Sequence, residues 1–146
     1  MGPLLPLLVI LMILALLIVL VALSGIRFIP NSQVGIVEKR FSGRGSIRSG
    51  FLALNGEAGH QPQALRGGLH YLTPFQYVVH NTPLVTIPQG KIGYIFARDG
   101  RPLEPTQVLA DNSATADFQD VVAFLQAGGQ RGPQRRILRE GTYAIN

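Results

Sequence analysis

Three histidines, His60, His70 and His80, are the side chains best suited to metal binding or acid–base chemistry. Their ten-residue spacing matches no local metal-ligand motif. His70 and His80 lie in strand-like segments, where a hydrogen-bonded structural role is favoured over a ligand role. The chain has no cysteine, which excludes a disulfide framework and a thiolate metal site. We expect neither a metal nor a cofactor.

Residues 42–46 (Ser-Gly-Arg-Gly-Ser) superficially resemble a phosphate-binding loop. They lack the Gly-Lys-Ser/Thr ending and the apolar helix that would point backbone amides at a phosphate. Carboxylates are sparse, no serine occupies a Gly-x-Ser-x-Gly elbow, and no nucleophile has an evident base. We therefore expect no catalytic residues. A hydrolase site assembled from distant loops is an alternative.

Two groups of arginines are candidates for contact with lipid headgroups or an anionic partner. The chain carries 13 basic and 8 acidic side chains, for a formal net charge of +5. Basic residues close to an anionic leaflet contribute about 1 kcal/mol each to membrane binding. A mobile loop and a solvated helix face are the alternatives. No nucleic-acid partner is expected, because aromatic and basic residues do not interleave in a recognisable module. The candidates are Arg44, Arg48, Arg131, Arg135, Arg136 and Arg139.

The elements that must position these residues begin with an apolar N-terminus. The first 26 residues contain no charged side chain, and residues 7–23 contain no polar one. A helix over residues 5–23 would span roughly 28 Å, close to the roughly 30 Å hydrocarbon layer. A signal peptide would have a basic leader and a shorter apolar stretch, and a core helix would need covering on all sides. We expect residues 1–25 to form a transmembrane anchor and residues 26–146 to form one domain.

Basic residues near the anchor predict its orientation. Arg27 follows the apolar segment directly, Lys39 and Arg40 lie further on, and no lysine or arginine precedes it. Basic residues near a span are retained in the cytoplasm. The sequence predicts a single-pass protein with its N-terminus outside and its domain in the cytoplasm.

The segment after the anchor has a β pattern with frequent turns. Asn55-Gly56 favours a tight hairpin turn, and residues 57–66 form a polar stretch. Runs of β-branched and aromatic residues predict strands over 34–39, 69–73, 76–80, 84–87 and 92–97.

An internal repeat organises part of this β pattern. Residues 29–37 and 87–95 share an Ile-Pro pair, a three-residue spacer and an apolar run whose second residue is glycine. Each unit predicts a proline-fixed approach, a turn and a strand, with the glycine leaving room for a crossing backbone.

The last forty residues have helical signals. Asp117 is placed to cap a helix over residues 118–127, and Gly128-Gly129 would end it. A second helix is predicted from Pro133 to just before Gly141, with Arg136 and Glu140 at i,i+4 spacing. The predicted class is α+β: a transmembrane helix, then a β-rich domain with one or two short helices near the C-terminus.

A set of features in a fixed order resembles the SPFH or band 7 family of stomatins, prohibitins and flotillins. These features are the transmembrane segment, Ile-Pro at 29–30 with Val-Gly-Ile-Val at 34–37, and GLHYLTPF at 68–75. Two later strings follow, IPQGKIGYIFARDG (87–100) and GGQRGPQRRILREGTYAIN (128–146). The last two look most like the bacterial flotillin-like branch. The resemblance covers residues 26–146. It leads us to expect the N-terminal portion of an SPFH-like domain, truncated before the family's coiled coil.

The resemblance implies a non-catalytic scaffold that organises membrane microdomains. Its partners would be membrane lipid, other membrane proteins and, in the full-length form, further copies of itself. A regulatory partner of a membrane protease is the alternative that the prohibitin-like branch implies. A membrane-anchored hydrolase is the further alternative.

Overall fold

The computed structural model of the chain describes residues 4–111 and 116–146. It has the predicted α+β arrangement of an apolar N-terminal helix, a strand-rich region and a short helix near the C-terminus. In chain order the elements are α1 (Leu4–Leu23), β1 (Ile26–Ile29), β2 (Gln33–Lys39), β3 (Gly59–Leu65), β4 (Gly68–Tyr71), β5 (Tyr77–Pro83), β6 (Val85–Ile87), β7 (Phe96–Ala97), α2 (Val121–Gln126), β8 (Gly132–Pro133) and β9 (Gly141–Tyr143).

Helix α1 is an apolar rod of 20 residues, none of them buried by the described part of the chain. Pro6 lies in its first turn, where the backbone amides have no intrahelical acceptor. At the other end the Ser24 hydroxyl donates a hydrogen bond to the Val21 carbonyl at 2.7 Å. The helix is long and apolar enough to cross a membrane, and a signal sequence or a soluble core helix satisfies the same criteria.

The described strands form one three-stranded antiparallel sheet and three two-stranded ribbons. The sheet has the order β3-β2-β5, and the ribbons are β1-β4, β6-β9 and β7-β8. Strand β2 is central because its apolar residues are covered from both sides, with Val34 and Val37 buried. Strand β3 was not predicted, since its sequence is polar and contains Pro62. As an edge strand, β3 tolerates a residue that cannot donate to a ladder.

Both repeat units bring their isoleucine against their glycine. A Cβ placed on Gly35 would lie 2.5 Å from Cδ1 of Ile29, and a Cβ on Gly93 would lie 2.5 Å from Cδ1 of Ile87. The glycines therefore leave room for the isoleucine side chain of their own unit. We had predicted that each glycine makes room for a crossing backbone, and this prediction was wrong. Ile29 is fully buried, and Ile87 joins a core with Phe118, Phe124 and Leu138.

Helix α2 is shorter than predicted and has a different cap. Asp120 is the N-cap, and its carboxylate accepts a hydrogen bond from the Ala123 amide at 2.9 Å. The predicted cap, Asp117, lies instead in a 3₁₀ turn with left-handed backbone angles. Phe124 is the buried side chain of α2. Gly128, at φ +79°, follows the helix as predicted.

The helix predicted from Pro133 is absent from the described structure, and the prediction was wrong. Strand β8 and extended bridges occupy this segment. Leu138 and Gly93 exchange backbone hydrogen bonds of 2.8 and 2.9 Å, and Gln134 bridges to Ala110. Backbone groups that an isolated helix would pair internally bond here to distant segments. Tertiary pairing has overridden the local helical signal.

Candidate functional site

The β1-β4 ribbon directly follows α1. Only Ser24 and Gly25 separate Leu23, the last residue of α1, from the first residue of β1. The returning strand is tied to the same point, because the Leu72 amide donates to the Gly25 carbonyl at 2.9 Å. The Tyr71 ring lies against Gly25, where a Cβ would come within 2.8 Å of it. Two chain segments therefore hold the ribbon at the end of α1.

The ribbon has two unlike faces. Ile26 pairs with Tyr71 and Phe28 with Leu69, so these four apolar side chains share one face, and all four are exposed. We call these residues the ribbon face. On the opposite side Ile29 is fully buried against the domain. All four side chains of the ribbon face are apolar, whereas a ribbon that faces water usually exposes polar side chains.

Arg44 and Arg48 line one shallow groove with Glu57. The Arg44 guanidinium donates to the Asn55 carbonyl at 2.6 Å, which fixes the arginine across the turn. Backbone amides of Glu57 itself and of Asn55 lower the pKa of the Glu57 carboxyl, with a smaller contribution from the charge of Arg44. The groove therefore combines cationic side chains with a carboxylate that stays ionised.

The four C-terminal arginines do not form one cluster. Arg135, Arg136 and Arg139 line a second groove together with Asp117 and Tyr143. Arg136 forms an ion pair with Asp117, with Nη2 and Oδ1 2.5 Å apart. The Tyr143 hydroxyl donates to the carbonyl of Arg139 at 3.0 Å.

Arg131 does not line this groove. Its positive charge is one of the causes that lower the pKa of Asp99. Arg136 and Glu140 were predicted to meet across one helix turn. Arg136 forms an ion pair with Asp117, and the chain here contains bends and bridges in place of the predicted helix.

His70 and His80 form hydrogen bonds with other parts of the domain. His70 Nε2 lies 2.7 Å from the Arg66 carbonyl, and His80 Nε2 lies 2.8 Å from a carboxylate oxygen of Glu38. These bonds agree with the structural roles predicted for His70 and His80. The hydrogen bond from His80 is the main cause that lowers the pKa of Glu38, and burial acts in the opposite direction.

His60 stacks on Phe51 with ring centroids 5.1 Å apart, and the edge of the His80 ring lies nearby. Its Nδ1 is buried and has no hydrogen-bond partner among the described residues. Within residues 4–111 and 116–146, no three His, Asp or Glu side chains are placed to hold a metal ion.

Sequence reasoning missed Asp99 as a junction between distant segments. One carboxylate oxygen accepts hydrogen bonds from the amides of Phe51 and Leu52, at 2.8 and 3.0 Å, and the other accepts from the Gly100 amide. Burial raises the pKa of the Asp99 carboxyl. The hydrogen bonds from the three amides lower it, and the net shift is downward. In the sequence, the Asp-Gly pair at 99–100 indicates a turn, and it does not indicate that Asp99 joins distant segments.

Sequence reasoning also missed the ribbon face. Its signal was present as alternation: Ile26 and Phe28 flank Arg27, and Leu69 and Tyr71 flank His70. The pairing of β1 with β4 could not be predicted, because about forty residues separate the two strands.

No family model, curated protein or solved structure matches this chain. The band 7 resemblance therefore depends on the sequence features described above alone.

Proposed function

We propose that this chain is a membrane-anchored scaffold, with α1 as its single transmembrane anchor and residues 26–146 as a domain held against the bilayer. One observation carries the proposal: α1 exposes all of its apolar side chains, and the described part of the chain buries none of them. Burying one leucine, isoleucine or valine side chain is worth about 1.5–3 kcal/mol. A bilayer supplies that burial along the whole helix.

The domain is attached closely to the end of α1. Gly25, which follows Ser24, accepts a hydrogen bond from the Leu72 amide and lies beneath the Tyr71 ring. An anchored α1 would therefore hold the β1-β4 ribbon at the membrane surface.

The scaffolding part of the proposal is supported by what the domain presents. It carries grooves that contain arginine and carboxylate together, and several exposed apolar side chains. Such surfaces suit contacts with lipid headgroups, with other membrane proteins and with further copies of the chain. We propose that the protein acts by holding partners together, as the flotillin-like resemblance implies, with no reaction of its own.

The test for anchoring is extraction of the expressed chain at alkaline pH, compared with an L14R/L17R variant. An arginine at the centre of a span opposes insertion by about 2.5–3.5 kcal/mol. We expect the unsubstituted chain to stay in the membrane pellet with α1 attached, and the variant to leave it. A mature protein without α1, measured by intact mass, would overturn the anchor.

Scaffolding is tested separately by sizing the protein in polymer-bounded membrane discs without detergent. We expect particles that contain several copies. A strictly monomeric protein, still anchored, would overturn scaffolding and leave the anchor in place.

A further inference from the structure

The ribbon face is fixed close to the point where α1 ends. The first ribbon pair, Ile26 with Tyr71, begins three residues after Leu23, a distance of about 10 Å at most for an extended chain. The Gly25 amide donates to the Ala22 carbonyl of α1 at 3.1 Å, and the Gly25 carbonyl accepts from the Leu72 amide at 2.9 Å, so hydrogen bonds tie the ribbon to the last turn of α1. Whatever surrounds the end of α1 also surrounds the ribbon.

The exposure of the face is large and confined to one side. Ile26, Phe28, Leu69 and Tyr71 are 45, 68, 72 and 63% exposed. Their neighbours in register, Arg27 with His70 and Ile29 with Gly68, lie on the other side. The ribbon face therefore contains no charged side chain.

The chemistry of the face fits the boundary between headgroups and hydrocarbon. Aromatic rings are enriched at that depth, and tyrosine suits it because its ring is apolar and its hydroxyl is polar. A two-stranded ribbon leaves backbone groups unpaired along its outer edges, and these cannot enter hydrocarbon without large cost. Only the side chains of the face can enter, while the backbone stays at headgroup level, where water and headgroups bond to it.

We propose that the ribbon face inserts its four side chains into the interfacial layer of the leaflet next to the C-terminal end of α1. The ribbon face contacts lipid, because the ribbon is continuous with the anchor. This inference rests on the proposed function, since it requires α1 to cross the bilayer. It adds that the domain lies on the membrane in one fixed orientation, where a simple tether would let it tumble.

The experiment uses tryptophan as a depth probe, because the chain contains none. Three full-length single-tryptophan variants are compared: L14W in the middle of α1, F28W on the ribbon face and F96W as the matched control. Phe96 is 71% exposed, close to the value for Phe28, and both substitutions keep an aromatic ring at a surface position. Each variant is reconstituted into phosphatidylcholine vesicles whose acyl chains carry bromine either near the headgroup or near the methyl end.

We expect F28W to lose emission mainly with bromine near the headgroup, L14W mainly with bromine near the methyl end, and F96W with neither. If L14W keeps its emission in both lipids, the proposed anchor is wrong. If L14W is quenched and F28W is not, the anchor stands and the inference is wrong.

Two further outcomes would also overturn the inference. Equal quenching of F96W and F28W would indicate general adsorption of the domain. Blue-shifted F28W emission without quenching would indicate that a second copy of the chain covers the face. Circular dichroism of F28W and F96W checks that both variants fold like the parent protein.

Discussion

Ile29 lies so close to Gly35 that the side chain of one occupies the space where the other would carry a Cβ. The two residues belong to the first repeat unit, and Ile87 and Gly93 have the same relationship in the second. In each unit the residue before the proline packs back onto the segment that follows the turn. The sequence repeat thus corresponds to a repeated packing arrangement.

Replacing Gly35 by alanine should destabilise the domain. The added Cβ would lie 2.5 Å from Ile29 Cδ1 and 2.8 Å from Val79 Cγ1, and Ile29 is fully buried and has no room to move. Overpacking of this kind costs about 1–3 kcal/mol. Denaturant unfolding of the full chain in detergent micelles, followed by near-ultraviolet circular dichroism, measures the change. We expect G93A to cost less, because its second neighbour, Leu138 Cβ, is 3.4 Å away.

The control is the double variant I29V/G35A, which removes the methyl group that meets the new Cβ. Its loss of stability should be smaller than the sum of the two single losses, since the clash is relieved. Strict additivity would show that Ile29 is not the neighbour that makes glycine necessary.

Removing the carboxylate of Asp99 should loosen the segment that contains Phe51 and Leu52. An Asp99→Ala substitution leaves three backbone amides without this acceptor, a loss of about 1–3 kcal/mol for each amide that stays unsatisfied. Asp99→Asn keeps an acceptor oxygen and should cost less. Glu104→Ala, at an exposed carboxylate, is the matched control and should stay within about 0.5 kcal/mol of the parent. Equal unfolding midpoints for D99A and E104A would contradict the role assigned to Asp99.

Acid should weaken the fold partly through the Glu38–His80 pair. The pKa of Glu38 in the folded state is below its usual 4.5, chiefly because of the hydrogen bond with His80. A carboxyl with a lowered folded pKa adds stability at pH values above its unfolded pKa. That stability is lost as the pH falls through the folded value. Both side chains are about half exposed, so solvent screening limits the effect to about 1 kcal/mol or less.

The measurement is the unfolding midpoint of the parent protein and of E38Q, from neutral pH to below the usual carboxyl pKa. The difference between the two proteins should be largest near neutrality and should shrink in acid. A constant difference across the range would mean that the charge of Glu38 does not contribute.

The sequence predicted the strands whose apolar residues are covered on both sides or alternate clearly. Strand β2 was expected over residues 34–39 and is observed at Gln33–Lys39. Strand β3 was missed because its polar sequence and Pro62 suit an edge, and edges have a weak apolar signal. The turn at Gly56 was correct, with φ at +78°, but its flanks do not form a hairpin, because Leu52 bridges His60 in parallel.

The C-terminal region was less predictable because long-range pairing determines it. Pro133 and the arginines after it suit a helix locally, yet Leu138 bonds to Gly93, some forty-five residues earlier. The groove that unites Arg135, Arg136 and Arg139 therefore depends on an extended chain that no local pattern indicates. The cap was misassigned by three residues, since Asp117 and Asp120 are equally suitable by type.

The orientation of the domain is open to a direct chemical test, because the chain has no cysteine. In this sequence the basic residues nearest α1 are Arg27, Lys39 and Arg40, all on its C-terminal side, which predicts a cytoplasmic domain. Thr106 is exposed, so a single T106C substitution introduces an accessible thiol. We expect a membrane-impermeant maleimide to label T106C in inverted vesicles and to leave it unlabelled in intact cells. Labelling in intact cells would place the domain outside and would show that three basic residues do not set the topology of this anchor.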